Sequence, residues 1–178
     1  VSTDEVYGGL DLTQPAFEET SPYDPSSPYA ASKAAADHLV NAWHRTFGFP
    51  VVVSNCTNNF GPFQFPEKLI PLTIAKAVSA EPIPVYGKGK NVRDWLYVDD
   101  HVDALYTILR RGELGESYNI SARSERANIE LVRDICGLLD ELRPDDPTVP
   151  HADLITFVDD RPGHDLRYAM SASKLYET

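Results

Sequence analysis

The feature that most constrains the fold is the alternation of short, continuous apolar runs with longer helix-forming segments. The run FPVVVSNC at 49–56 is short and rich in β-branched residues, and it directly follows a helix-type pattern at 28–47. Strands of this kind are buried on both faces, which is typical of a parallel sheet covered by helices. The sequence therefore predicts an α/β chain with a parallel sheet.

The ends of the predicted helices are marked by capping residues. Ser27 and Pro28 fit the N-cap and first position of a helix over 28–47, and Gly48 fits the position that ends it. Asn128 is predicted to cap a helix over 129–142. The other predicted helices cover 66–80, 98–111 and the chain end from 171. The remaining strands are predicted at 1–3, 83–87, 92–98, 117–121 and 154–158, and the loops at 9–27, 58–66 and 143–153.

Charge and composition exclude several classes of function. The net charge is −11 and no run of Lys or Arg is present, so we expect no nonspecific binding to nucleic acid. No stretch approaches the roughly 20 apolar residues of a membrane span, and we expect no signal peptide. Cys56 and Cys136 are predicted to be free thiols of a cytoplasmic protein. The five histidines show no metal-ligand spacing, so no metal site is predicted.

One expected motif of nucleotide-binding α/β folds is missing. Such folds usually open with a strand, a glycine-rich turn and a helix, but neither G-x-G-x-x-G nor G-x-x-G-x-x-G occurs here. The chain also begins within a predicted strand and ends within a predicted helix. We therefore expect an internal fragment of a longer protein.

Two short patterns carry candidate chemistry. STDEVYG places Thr3, Asp4 and Glu5 together, and neighbouring carboxylates can serve one site only if the strand ends near Thr3. The alternative is a solvated acidic turn. Tyr29 and Lys33 lie four residues apart, hence on one face of the helix. An ammonium beside a phenol favours the phenolate and lowers its pKa, which makes Tyr29 a candidate acid or base. The alternative is an exposed Tyr and Lys on a surface helix.

Several longer motifs together resemble one family. These are STDEVYG, SSPYAASKAAADHL, SNCTNNFGPFQFPEKLIP, VRDWLYVDDH, YNIS and DRPGHDLRYAM, and they cover nearly the whole chain. The pattern resembles the dTDP-glucose 4,6-dehydratases, which are extended short-chain dehydrogenases/reductases. The resemblance implies the C-terminal part of a Rossmann-type doubly wound parallel sheet, with a smaller mixed α/β substrate domain. It assigns 1–65 to the NAD-binding domain and 66–178 mainly to the substrate domain, with about 90–120 returning to the first.

The resemblance also implies a reaction on dTDP-glucose with NAD as cofactor. Tyr29 would take the proton of the sugar 4-hydroxyl, Thr3 would bind the same oxygen, and Lys33 would bind the cofactor ribose and keep the pKa of Tyr29 low. Glu5 would then remove the C5 proton while Asp4 protonates the departing 6-hydroxyl. The two acids must differ in protonation, so Asp4 is expected to have a raised pKa and Glu5 to stay ionised.

Ligand-binding residues follow from the same resemblance. Asn59 would contact NAD, and the nucleotide sugar would be bound by Asn58, Lys68, Leu69, Pro84, Tyr86, Arg93, Asn128, Arg161 and His164. Simpler roles are open for several of them: turn formation by Asn58 and Asn59, an ion pair of Arg93 with Asp94, and capping by Asn128. The family also implies a homodimer formed through the helix over 28–47.

Two other functions stay open. An NAD-dependent nucleotide-sugar epimerase would share much of the pattern, although simple epimerases need no Asp-Glu pair. A non-catalytic binding module would be consistent with the missing glycine-rich turn. The retained Thr3, Asp4, Glu5, Tyr29 and Lys33 argue against that second alternative.

Overall fold

The computed structural model describes residues 1–178. The strands are β1 (Ser2–Thr3), β2 (Val53–Cys56), β3 (Asn58–Phe60), β4 (Ile83–Tyr86), β5 (Val92–Tyr97), β6 (Ser117–Ile120), β7 (Glu125–Ala127) and β8 (Ile155–Val158). The helices are α1 (Pro28–Phe47), α2 (Leu69–Val78), α3 (Val98–Arg111), α4 (Asn128–Leu142) and α5 (Ser173–Tyr176). Two 3-10 turns cover Asp4–Tyr7 and His151–Leu154.

The chain divides into two compact units. The first comprises Val1–Asn59, Arg93–Glu125 and Asp165–Thr178, and the second comprises Phe60–Val92 and Arg126–His164. The chain therefore leaves the first unit and returns to it twice. The assignment of cofactor and substrate to these parts of the chain stays a prediction.

A parallel sheet of order β1-β2-β6 forms the centre of the first unit. Thr3 is paired with Cys56 and Cys56 with Ile120, so all three strands end at the same edge. Two clusters of buried apolar side chains form the core of this unit, one around Val6 and Met170 and the other around Leu96 and Ile108. The predicted α/β class with a parallel sheet is confirmed.

Helix α1 has the predicted ends. The Ser27 hydroxyl accepts a hydrogen bond from the backbone N–H of Ala30 at 3.0 Å, and Pro28 occupies the first helical position. Gly48 ends the helix with a φ of 65°, in the left-handed region that glycine adopts at little cost. Tyr29 and Lys33 lie in the first two turns of this helix, so the cap at Ser27 fixes the position of the backbone that carries both side chains.

The second unit is built on strands β4 and β8, which pair in parallel with Ile83 beside Ile155. Helices α2 and α4 pack against one another and cover an apolar core. The buried members of this core are Ala77, Ile83, Val85, Val132 and Cys136.

Both cysteines of the chain are free thiols, Cys56 in the first unit and Cys136 in the second.

Several predicted boundaries are wrong. The strand predicted at 49–56 is limited to β2, and the helix predicted at 66–80 is limited to α2, because Lys68 is extended with a ψ of 154°. Strands β3 and β7 were not predicted, since each has only three residues and no apolar alternation. Asn128 is the first helical residue and not the N-cap of α4; the cap is Ala127, whose N–H donates to the Glu130 carboxylate at 3.4 Å.

Two kinds of feature are absent from the structure. None of its helices combines the length and the apolar character needed to cross a bilayer. No three His, Cys, Asp or Glu side chains converge in a way that could hold a metal ion.

Candidate active site

The acidic pair lies where strand β1 changes into a 3-10 turn. Thr3 is the last strand residue, and its Oγ1 accepts a hydrogen bond from the backbone N–H of Glu5 at 3.4 Å. Asp4 and Glu5 therefore lie in the turn, where neighbouring side chains need not point to opposite faces as they do in a strand. The condition that the sequence set for a shared site, an end of the strand near Thr3, is met.

Glycine at position 8 allows the chain to leave this turn. Gly8 has a φ of 88°, and a Cβ added there would collide with the carbonyl oxygen of Asp24. Any other residue would combine a strained backbone with a clash against main chain. The placement of Asp4 and Glu5 thus depends on Gly8 as well as on the cap at Thr3.

Burial changes the acidity of Asp4. Its side chain is almost fully buried, and loss of solvation is the main cause that raises its pKa to about 7. The charge of Glu5 raises the pKa further, whereas the Thr3 hydroxyl, which donates to Asp4 Oδ1 at 3.1 Å, and the Arg93 guanidinium lower it. The predicted raised pKa of Asp4 is confirmed. Glu5 is only half-buried, so the two neighbouring acids have different surroundings.

Tyr29 lies in the electrostatic field of these acids. Its side chain is 56% exposed, and its pKa is raised by partial burial first, and then by Glu5, Cys56 and Asp4. The expectation that Lys33 keeps this pKa low is wrong for this structure. The Lys33 ammonium instead donates to the backbone carbonyl of Val1 at 2.9 Å. Tyr29 is close enough to the two acids for their charges to affect its pKa, and the phenol keeps its proton more tightly than expected.

Cys56 is a member of this site that the sequence reasoning missed. It ends β2 beside Thr3, its thiol donates to the carbonyl of Ser2 at 3.5 Å, and it accepts from the Asn59 amide at 3.4 Å. Burial and the charge of Asp4 raise its pKa to about 11, so the thiol is neutral at physiological pH. The signal that was available was its position at the carboxyl end of a strand next to Asn58 and Asn59.

The two asparagines follow β2 at this edge. Asn59 donates to the backbone carbonyl of Thr57 at 3.0 Å as well as to the Cys56 sulfur. These local bonds fit the simpler role in chain geometry, and they also hold the Asn59 side chain next to the site. Asn58 begins β3 and is half-buried.

Arg93 is a buried side chain of the first unit, with 6% of its surface exposed. Its guanidinium donates to the carbonyls of Asp165 at 3.0 Å and Leu166 at 3.4 Å, and it lies 4.2 Å from the ring centroid of Tyr168. The carboxylate of Asp94 accepts instead from the 121–124 loop. These contacts place a fixed positive charge close enough to Asp4 to affect its pKa.

The second unit brings three of the predicted substrate-binding residues together. The Arg161 guanidinium lies 5.3 Å from the ring centroid of Tyr86, and the His164 ring lies edge-on to the same ring at 6.4 Å. His164 Nδ1 is 2.6 Å from the Asp160 carboxylate, and this bond is the main cause that lowers the pKa of Asp160. Pro84 lies two residues before Tyr86 in β4.

The other predicted residues of this unit lie at helix starts. Lys68 is the exposed residue before α2, and its ammonium lies 3.8 Å from Glu67. Leu69 is half-buried against the core of the unit. Asn128 begins α4, and its N–H donates to the carbonyl of Asn91 at 2.9 Å. No described contact joins these three to Tyr86.

The parallel sheet and the helix that carries Tyr29 and Lys33 are features of the Rossmann-like fold of the short-chain dehydrogenase/reductase type. The sequence model of the GDP-mannose 4,6 dehydratase family matches residues 1–178, and the chain belongs to this family.

Among the relatives, a probable dTDP-glucose 4,6-dehydratase of Sinorhizobium fredii is 64% identical over 176 residues, which are 98% of this chain and 49% of that protein. The crystal structure of dTDP-glucose 4,6-dehydratase from Bacillus anthracis in complex with NAD matches with a TM-score of 0.88 at 44% identity. The match covers 99% of this chain and 53% of that one. The enzyme from Streptomyces venezuelae, with NAD and dTDP bound, matches with a TM-score of 0.88 at 42% identity, over 99% of this chain and 51% of that one.

The chain thus spans about half the length of the curated relatives it matches. The agreement with the two crystal structures confirms the predicted Rossmann-type α/β fold class.

Proposed function

We propose that the protein is a dTDP-glucose 4,6-dehydratase, which converts dTDP-glucose to dTDP-4-keto-6-deoxyglucose with NAD as cofactor. The observation that carries this proposal is the pair formed by Asp4, with a pKa of about 7, and the more exposed Glu5. The identity of 64% to a probable dTDP-glucose 4,6-dehydratase supports the same substrate.

The acidic pair suits an elimination of water. Once C4 of the sugar is a ketone, the C5 proton is acidic, and Glu5 removes it as the base. The 6-hydroxyl leaves as water only if it receives a proton, which Asp4 supplies. A carboxyl group with an ordinary pKa would be ionised at neutral pH and could not donate. Because burial keeps a large fraction of Asp4 protonated near pH 7, the two neighbours take opposite roles.

The remaining residues of the first unit suit the oxidation at C4. The Thr3 hydroxyl would bind the 4-oxygen, and Tyr29 would take the proton of the 4-hydroxyl in its phenolate form, which first requires loss of the phenol's own proton. The raised pKa of Tyr29 means that this transfer needs a nearby positive charge, and Lys33 is the cation one helical turn away on the same face.

The chain has groups that fit a nicotinamide dinucleotide. Only one of the three N–H donors of Lys33 is used by the Val1 carbonyl, which leaves two for ribose hydroxyls. The Asn59 side chain is held at the same sheet edge by its bonds to Thr57 and Cys56. When bound, NAD would accept hydride from C4 and return it to C6.

We infer that the nucleotide is bound by the other predicted residues. These are Asn58, Lys68, Leu69, Pro84, Tyr86, Arg93, Asn128, Arg161 and His164. The Tyr86 ring with the Arg161 guanidinium beside it offers an aromatic face and a positive charge, which suit a base and a phosphate.

A homodimer and a cytoplasmic location belong to the same proposal. The exposed apolar residues Leu39, Trp43 and Phe47 lie at four-residue intervals along α1, which supports an interface on this helix.

The test is to incubate the purified protein with dTDP-glucose and to measure the 4-keto product by its absorbance in alkali. We expect the product from the parent and not from Glu5→Gln, which should oxidise C4 and stop before elimination. Glu18→Gln, which changes an exposed carboxylate outside the site, should behave like the parent. A clean 4-epimer would refute the dehydratase proposal and favour an epimerase.

A further inference from the structure

Helix α1 carries a buried carboxylate that the reaction does not use. Asp37 lies one turn after Lys33 and two turns after Tyr29, and only 6% of its surface is exposed. Its Oδ2 accepts hydrogen bonds from the Ser2 hydroxyl at 2.6 Å and from the Tyr23 hydroxyl at 3.2 Å. Neither donor carries a positive charge. Burial of a carboxyl group costs free energy, so a role of Asp37 beyond packing is expected.

The partner Ser2 is the residue that immediately precedes the acidic turn. It is 4% exposed and lies in β1, so its hydroxyl links this strand directly to α1. The bond therefore joins the segment that carries Thr3, Asp4 and Glu5 to the helix that carries Tyr29 and Lys33. The 2.6 Å separation lies within the range of a well-formed O–H···O hydrogen bond.

A second bond holds the same strand. The backbone carbonyl of Thr3 accepts a hydrogen bond from the Asn55 side chain of β2 at 3.2 Å. The Tyr23 hydroxyl donates to the same Asp37 carboxyl group of α1 that accepts from Ser2. Burial and the charge of Asp37 raise the pKa of Tyr23 to about 12, which keeps this phenol a donor. Strand β1 is thus held at two successive residues, Ser2 and Thr3.

We propose that Asp37 is a positioning residue, which through Ser2 fixes the Thr3-Asp4-Glu5 segment relative to Tyr29 and Lys33 on α1. The proposal rests on the proposed dehydratase function. The reaction needs the phenol and both acids on one sugar ring, and displacement of a catalytic group by about 1 Å can cost on the order of 100-fold in rate. Substrate binding by the second unit does not depend on this link.

The chain offers a matched control for the loss of this bond. Ser121 is also buried, and its hydroxyl donates to the buried carboxylate of Asp94, likewise at 2.6 Å. Ser2→Ala and Ser121→Ala therefore remove the same kind of bond from the same kind of partner. We expect similar decreases in Tm but different effects on catalysis.

In the purified protein, we expect Ser2→Ala to lower kcat roughly tenfold or more with KM for dTDP-glucose within about twofold. Asp37→Ala should lower kcat similarly, and the double variant should lose little beyond either single variant. Ser2→Thr keeps the hydroxyl and should retain the parental kcat, and Ser121→Ala should retain it too. Additive losses in the double variant, or an equal loss of kcat in Ser121→Ala, would overturn the proposal.

Amide hydrogen exchange without substrate separates this proposal from the proposed function. Exchange at residues 3–8 should become faster in Ser2→Ala and Asp37→Ala and stay unchanged in Ser121→Ala. If the parent does not act on dTDP-glucose, the proposed function fails, and the exchange result alone decides whether Asp37 holds the turn. Unchanged exchange in a folded Ser2→Ala variant would show that it does not. If Ser2→Ala does not fold, Ser2→Cys provides the same comparison with a weaker donor.

Discussion

Replacement of Asp4 by asparagine should make the stability of the protein less dependent on pH. The pKa of Asp4 is raised from 3.8 in the unfolded chain to about 7 in the folded protein. The folded state therefore keeps a proton that the unfolded state loses. The favourable contribution of Asp4 is fully present below pH 3.8 and is lost as the pH rises through about 7. An asparagine side chain does not titrate, so the variant should not suffer this loss.

The size of the effect follows from the shift. About three pKa units at about 1.4 kcal/mol per unit correspond to about 4 kcal/mol between the two limits. Between pH 5 and pH 9, the contribution of Asp4 to the free energy of unfolding should fall by about 3 kcal/mol, because the rest of this contribution is already lost below pH 5. The free energy of unfolding of Asp4→Asn relative to the parent should therefore rise by about that amount and level off above the folded pKa.

Urea unfolding of both proteins at pH steps from 5 to 9 measures this difference. Two neighbours supply internal checks. Glu5→Gln removes a charge that raises the pKa of Asp4, so the pH at which the stability falls most steeply should be lower in this variant. Thr3→Val removes a hydrogen bond that lowers the pKa of Asp4, so the same pH should be higher. A difference between parent and Asp4→Asn that stays constant from pH 5 to pH 9 would refute the burial argument.

The remaining predictions concern the turn and the phenol. Gly8→Ala should lower the free energy of unfolding by about 1–3 kcal/mol because its φ is 88° and its Cβ would meet a backbone carbonyl. Its control, Gly137→Ala, lies within α4 with nothing within 4 Å and should raise the free energy of unfolding by about 0.5–1 kcal/mol; equal effects of the two in urea titrations would contradict the account. Tyr29→Phe should lower kcat for dTDP-glucose by about 10²–10⁴. Tyr106→Phe, an exposed phenol on α3, should leave kcat unchanged, and a Tyr29→Phe variant within twofold of the parent would remove Tyr29 from the mechanism.

Local signals explain which parts of the fold could be predicted. Helix α1 was predicted with both ends because Ser27, Pro28 and Gly48 act within a few residues of themselves. Strands β3 and β7 were missed because their pairing depends on a distant strand rather than on their own pattern. The cap of α4 was placed one residue late, since Asn128 has a good cap side chain but Ala127 has the extended backbone.

The site shows the same division. The adjacent acids gave the condition that the strand ends near Thr3, and the mechanism implied by the family resemblance gave the raised pKa of Asp4, whereas burial, the main cause of that pKa, comes from the fold. The raised pKa of Tyr29 could not be predicted, because it depends first on burial and then on Glu5, Cys56 and Asp4, which the fold brings close from other parts of the chain. The contacts of Arg93 with Asp165 and Leu166 are equally remote in sequence. No spacing rule links those positions.

The most direct test of the central claim, that Asp4 and Glu5 carry out an elimination, is the reaction of dTDP-glucose in D₂O followed by NMR of the product. Glu5 removes the C5 proton and exchanges it with solvent, so the account predicts a 4-keto-6-deoxy sugar with deuterium at C5. A 4-epimer that keeps its 6-hydroxyl and has no deuterium at C5 would contradict it.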